Sequence, residues 1–194
     1  TVISGDVSQR ARHGEFQAAH AFVQRLQRHA PVLMVPGNHD IEWWRSPLGL
    51  AGQDVKYAKY ARYFGELTPV LEIPGAIIAG ALSSYGVALG SLTLNLRDVA
   101  VKGHLPASET SRVARIFAEA PPGAVRILVF HHNVLRGAHS RRMGLANWRS
   151  ASRRVLASGA DVVLCGHDHH ESAGQINGTL AVSTSGTHSF RTRG

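Results

Sequence analysis

Four short polar clusters, each closing an apolar run of strand character, hold most of the side chains in this sequence that could do chemistry. Gly5-Asp6 follows Thr1-Val2-Ile3-Ser4, and Gly37-Asn38-His39-Asp40 follows Val32-Leu33-Met34-Val35. His131-His132-Asn133 follows Ile127-Leu128-Val129-Phe130, and Gly166-His167-Asp168-His169-His170 follows Val162-Val163-Leu164-Cys165. Ligands of open α/β sheets bind at the carboxyl ends of strands, so four such ends are expected to share one crevice. Carboxylate, amide oxygen and imidazole together make the donor set of a hard-to-borderline divalent cation.

Each cluster has its own reading. Asp6 could bridge two cations with its two oxygens, although Gly-Asp also opens many turns. Asn38 offers a neutral oxygen, and His39 beside it can donate a proton without being a ligand. Asp40 is expected to orient that imidazole and favour its charged form. An Asx-type turn explains Gly37 and Asn38 but not the histidine. Adjacent histidines on an extended chain point to opposite sides, so His131 is assigned to the cations and His132 to packing or support. His167 and His169 alternate and share a face on extended backbone, with Gly166 allowing close approach. Asp168 and His170 then point elsewhere.

Strand and helix patterns alternate between these clusters, which predicts a layered α/β domain. A helix is expected over residues 15–29, with Phe16, Ala19, Phe22, Val23 and Leu26 on its inner face. Strands are expected over 32–35, 70–73, 76–82, 125–130, 161–165 and 179–183, and a half-buried strand over 91–101. Further helices are expected over 55–64, from Pro106-Ser108 to Pro121-Pro122, and over 145–158 with Gly159 as its stop.

At 194 residues the chain has the length of one domain, and no apolar run approaches the roughly 20 residues a membrane helix needs. One cysteine, Cys165, excludes an internal disulfide and reads as a small buried hydrophobe. The net charge of +8 is carried mostly by arginine, since only Lys56, Lys59 and Lys102 are lysines. Such a surface attracts phosphate groups, or is simply a solvated face. Arg136 to Arg142, including Arg141, could grip a phosphate, while Arg149, Arg153 and Arg154 read as an exposed helix face. Trp43 and Trp44 could stack a base or pack a loop.

The ordered set Gly5-Asp6, Gly37-Asn38-His39-Asp40, His131 and Gly166-His167-Asp168-His169 resembles the calcineurin-like metallophosphoesterase superfamily. The wording of Val35-Pro36-Gly37-Asn38-His39-Asp40, Ala120-Pro121-Pro122-Gly123 and Ser183-Thr184-Ser185-Gly186-Thr187 is most similar to its bacterial branch containing class III cyclic nucleotide phosphodiesterases. The resemblance implies a layered α/β fold: a sandwich of two mixed sheets flanked by helices, here without its N-terminal strand. Residues 1–194 would be one such domain, truncated at its N-terminus and at its C-terminus.

By matching position, Asp6 would bridge two divalent ions (iron, manganese, zinc or cobalt). Asn38, His131 and His167 would hold one ion and His169 would help hold the other. The ions would activate a hydroxide nucleophile, and His39 would be the general acid; Asp40, His132 and Arg141 would support the shell or the substrate. The family's opening Asp-x-His pair does not precede Asp6 here, so one ion is expected to bind well and the second poorly. The implied activity is hydrolysis of small phosphodiesters or phosphomonoesters, cyclic nucleotides among them, in the cytoplasm. A DNA nuclease and an inactive scaffold of the same fold are the alternatives; neither a membrane partner nor a particular oligomer is implied.

Overall fold

Alternating apolar side chains along the strands sort into three clusters, and these define the layers of the molecule. The computed structural model describes residues 1–46, 54–86, 101–135, 144–169, 171–177 and 180–184. In chain order the elements are β1 (Val2–Ile3), α1 (His13–Gln27), β2 (Leu33–Met34), a 3-10 turn (Trp43–Arg45), α2 (Asp54–Phe64), β3 (Val70–Ile73) and β4 (Ala76–Gly80). They continue with α3 (Ala107–Ala118), β5 (Val125–Val129), α4 (Trp148–Ala157), β6 (Val162–Cys165), β7 (Ser172–Ile176) and β8 (Leu180–Thr184).

β1 and β2 pair in parallel as a small sheet, and the other strands form a second sheet in the order β3-β4-β5-β6-β8-β7. Its four central strands are parallel and its two edge strands are antiparallel. Leu33 and Val35 of the small sheet face Ile78 and Val129 of the large one, sealing the space between them. The intervening residues point the other way. Ile77, Ala79, Leu128, Phe130, Val163 and Cys165 pack under α3 and α4, where Val113, Phe117, Ala151 and Val155 are buried. Met34, with Ile3 and Val32, packs under α1 and α2. The result is helices, small sheet, large sheet, helices. Central parallel strands are apolar on both faces because both faces are covered.

This is the expected α/β sandwich, with the small sheet purely parallel among the described residues. Two details differ from the sequence reading. Phe22 lies on the outer side of α1, 48% exposed with the Arg25 guanidinium over its ring. At 100° per residue it falls about 120° from Phe16, whereas Val23 returns to the same face. β7 carries Ser172, Ala173 and Gly174, small residues without alternation, so its pairing with β8 left no periodic signal. The expected strand at 91–101 lies outside the described residues, except for Val101.

The parallel strands all deliver their carboxyl ends to one side. The polar residues following β1, β2, β5 and β6 are therefore neighbours in space. α4 ends at Ala157 with Ser158 as its C-cap, and Gly159 takes the left-handed backbone (φ 80°) that closes such a helix. No helix among the described residues is long and apolar enough to cross a membrane.

The small sheet depends on α1. Phe16 is fully buried, edge-on to Tyr60 and Phe64 at 6.4 and 5.6 Å. Replacing Phe16 by Ala should cost about 3–5 kcal/mol in denaturant unfolding, the range for buried aromatic truncation. A loss below about 1 kcal/mol would show that α1 does not hold this sheet in place.

Candidate metal centre

At the crevice, one imidazole nitrogen faces three lone-pair donors. His131 Nε2 lies 3.2 Å from Asp6 Oδ2, 3.1 Å from Asn38 Oδ1 and 2.9 Å from His167 Nδ1. These side chains come from the ends of four different strands. The other ring nitrogen, Nδ1, donates to the Ser4 carbonyl at 2.6 Å, which leaves Nε2 to serve the centre.

The electrostatics call for positive charge here. Burial opposes ionisation of Asp6, yet the His131 ring and the His39 backbone N–H hold its carboxyl far below the ordinary value. Burial likewise lowers the pKa of His131, but the Asp6 carboxylate more than offsets this and the net shift is upward. Burial and the charge on His131 push His167 down to about 3, so its ring is neutral with a lone pair to offer. A proton on His131 Nε2 cannot point at three acceptors at once.

A cation can satisfy them all. Donors about 2.0–2.2 Å from a shared ion stand about 3.0–3.5 Å apart along the edges of its coordination shell, close to the spacings found. The residues at this position fit a divalent ion. For a second ion the described residues offer less: Asp6 Oδ1, which also accepts the His39 N–H at 3.0 Å, and His169.

The loops meet closely enough to need glycine. A Cβ on Gly5, whose φ is 98°, would sit 2.5 Å from Gly37 N and 2.7 Å from His131 Nδ1. A Cβ on Gly37 would run into the Asp6 carboxylate and backbone. Asp40 clamps the same two loops. Its oxygens accept from Gly37 N (2.9 Å), Ser8 N (2.9 Å), Ser8 Oγ (2.8 Å) and Val7 N (3.3 Å). Burial and the neighbouring Asp6 charge push the Asp40 carboxyl upward against the pull of these donors.

Two expectations are corrected in this geometry. Asp40 spends its oxygens on the backbone clamp, because the turn closed by Asp40 N and Gly37 O points its carboxylate inward. His39 is oriented instead by Gln9, whose carbonyl lies 2.9 Å from Nδ1. His167 and His169 do not share a face of extended chain. β6 ends at Cys165, and both histidines adopt left-handed backbone (φ 74° and 53°), with His167 buried and His169 exposed.

His132 is grouped in space with His131 and His167, their ligand-type atoms all within 4.8 Å. Both its nitrogens are nonetheless engaged, with Nε2 3.1 Å from the Val101 carbonyl and Nδ1 3.0 Å from Ser83 Oγ. Ser83 Oγ in turn accepts the His132 backbone N–H at 3.2 Å, so it donates to Nδ1. His132 is a fixed neutral wall of the site; burial holds its pKa well below the ordinary value. Arg141 and His170 lie outside the described residues.

Sequence reasoning missed Ser4, Ser8, Gln9 and Ser83. Ser4 and Gln9 act through backbone carbonyls, which carry no residue signature. Beside His39 lies a cleft of about 430 Å³ that also includes Arg10, Arg12 and Trp44, residues outside every motif.

His131→Ala should abolish tight binding of manganese measured by calorimetry, while His132→Ala should weaken it by about 10–100-fold at most, the effect of losing a supporting contact. Equal loss in the two variants would return His132 to the ligand set.

A family model described as calcineurin-like phosphoesterase matches residues 1–171. No curated protein matches the chain by sequence. Among solved structures, a dimetal phosphatase from Danio rerio is similar with a TM-score of 0.60 at 17% identity, covering 95% of this chain and 71% of that one. Phosphopantetheinyl hydrolase from Mycobacterium tuberculosis is similar at 0.53 and 16% identity, covering 95% and 78%. GAP50, the anchor in the inner membrane complex of Plasmodium, is similar at 0.53 and 13% identity, covering 97% of this chain and 59% of its own. At these identities each likeness is one of fold.

Proposed function

The chain belongs to the calcineurin-like phosphoesterase family, and we propose that within it this protein is a phosphodiesterase for small diesters, cyclic nucleotides among them. The observation that carries the reading is the convergence of Asp6, Asn38, His131 and His167 beside an exposed, oriented His39. Asp6, Asn38, His131 and His167 would hold one divalent ion, and Asp6 with His169 would contribute to a second. When bound, such ions lower the pKa of water and neutralise charge on phosphoryl oxygens.

The chain's own residues do the rest. His39 Nδ1 donates to the Gln9 carbonyl, so Nε2 is the nitrogen presented to solvent and substrate. In hydrolysis a water oxygen bonds to phosphorus and the bond from phosphorus to the leaving oxygen breaks. Its electron pair stays on that oxygen, which takes the proton from His39 Nε2. The proton shed by water restores the histidine. A general acid so placed contributes about 10²–10⁴-fold. The buried ring of His132 limits water behind the site.

A similar fold is also put to another use, since GAP50 is named as an anchor. The retained donor set and the exposed acid favour hydrolysis over a scaffold role for this chain. A nuclease reading draws only on the positive charge, and assays on single- and double-stranded DNA would separate it from small-diester activity.

With manganese-loaded protein, His39→Ala should lower kcat on cyclic AMP, whose leaving group is an alkoxide, by about 10²–10⁴-fold. The same variant should lose much less on bis(4-nitrophenyl) phosphate, whose nitrophenolate departs without a proton, and should keep its metal. Equal losses on both substrates, or loss of metal in parallel, would contradict the acid role.

A further inference from the structure

The cleft beside His39 has a chemistry that the metal centre does not use. Its lining includes the loop Gln9 to Arg12 and Trp44, together with Asn38 and His39. With His39 as the proposed donor to the departing oxygen, a cleft that His39 helps to line is placed to receive the group attached to that oxygen.

The charges here are unevenly satisfied. Lys59 lies 2.8 Å from Glu42 Oε1 and donates to the Ala11 carbonyl at 2.8 Å, while Arg45 meets the other Glu42 oxygen at 3.3 Å. Glu15 Oε2 accepts the backbone N–H groups of Arg10 and Arg12, each at 3.0 Å, which fixes the loop rather than their guanidiniums. Among the described residues neither guanidinium makes a direct ion pair, although the Arg12 charge acts on Glu15 and helps lower its pKa, and both residues are exposed. Trp44 is 49% exposed and set edge-on to Trp43 at 5.9 Å, so the lining of one cleft combines a flat apolar surface with two positively charged residues.

We infer that this cleft is the leaving-group subsite, and that Arg10 and Arg12 select diesters whose leaving group carries a second phosphate-type anion on a flat or apolar body. The inference rests on the phosphodiesterase reading and sharpens its substrate class. Guanidinium pairs suit phosphate oxygens through charge-assisted hydrogen bonds, and an indole face suits the organic portion between the two charges. Gln9 links the parts: the loop that presents the arginines also supplies the carbonyl that orients the acid.

The test uses two methyl aryl phosphodiesters that differ only on the departing phenol, one bearing a para nitro group and the other a para phosphonomethyl group. For the manganese-loaded protein the readout is the ratio of their kcat/KM values, which cancels changes common to both. In Arg10→Ala/Arg12→Ala the ratio of phosphonomethyl to nitro substrate should fall by at least about tenfold, chiefly through KM. Arg25→Ala/Arg28→Ala, which removes the same charge from the far end of α1, should keep the wild-type ratio.

A second measurement does not need turnover. Calorimetric binding of 4-hydroxybenzylphosphonate, the leaving group itself, should weaken by at least about tenfold in the Arg10/Arg12 variant only. If the nitro diester is cleaved but phosphonate binding is equal in wild type and the Arg10/Arg12 variant, the subsite is overturned and the phosphodiesterase reading stands. If neither diester is cleaved while binding still depends on Arg10 and Arg12, the anion cleft stands and the phosphodiesterase reading falls.

Discussion

The molecule is organised around one nitrogen, His131 Nε2, which is buried against a carboxylate, an amide oxygen and a second imidazole. Three acceptors around one nitrogen are unfavourable unless positive charge is placed among them, because each has been taken out of water. A single proton satisfies one direction at a time. A divalent ion has no such restriction, and its coordination shell matches the observed spacing. The folded chain therefore stores a demand for a cation in its own hydrogen-bonding pattern.

Meeting that demand requires positional accuracy that the small sheet alone does not supply. β1 and β2 each comprise two residues, a short ladder on which to mount Asp6 and Asn38. The accuracy comes from the Asp40 clamp, which ties Gly37 to Val7 and Ser8, and from glycines that let the two loops touch. On the other side, β5 and β6 are held by a continuous ladder that extends past the strands, with Gly166 N donating to the His131 carbonyl at 2.8 Å. One half of the site is rigid through its sheet, and the other through a buried carboxylate.

The two adjacent histidines show how partners decide roles. His131 and His132 have the same side chain, the same burial and ring centroids 4.9 Å apart. His131 spends one nitrogen on a carbonyl and keeps the other for the crevice. His132 spends both, on Val101 and Ser83. Proximity alone would make His132 a ligand; hydrogen-bond saturation makes it a wall.

Much of this was legible in the sequence. The apolar runs marked the strands because buried parallel strands exclude polar residues, and the polar clusters marked the crevice because strand ends are where such sheets open. Donor types at Asp6, Asn38, His131 and His167 followed directly. β7 was not legible, since an edge strand built from small residues carries no alternation; the outward turn of Phe22 was legible in the 100° step from Phe16, although the apolar pattern alone put it on the inner face. The left-handed backbone at His167 and His169 was also hidden, because a turn is spelled by its tertiary setting as much as by its residues. What the sequence by itself determined is which chemical groups stand at the ends of which strands, a local matter of burial and turn-forming residues. Which nitrogen of His131 faces the crevice was decided only by tertiary structure, because the Ser4 carbonyl that sets it lies 127 residues away along the chain. The same holds for His39 and the Gln9 carbonyl: any residue type can supply such a backbone oxygen, so folding alone selects it.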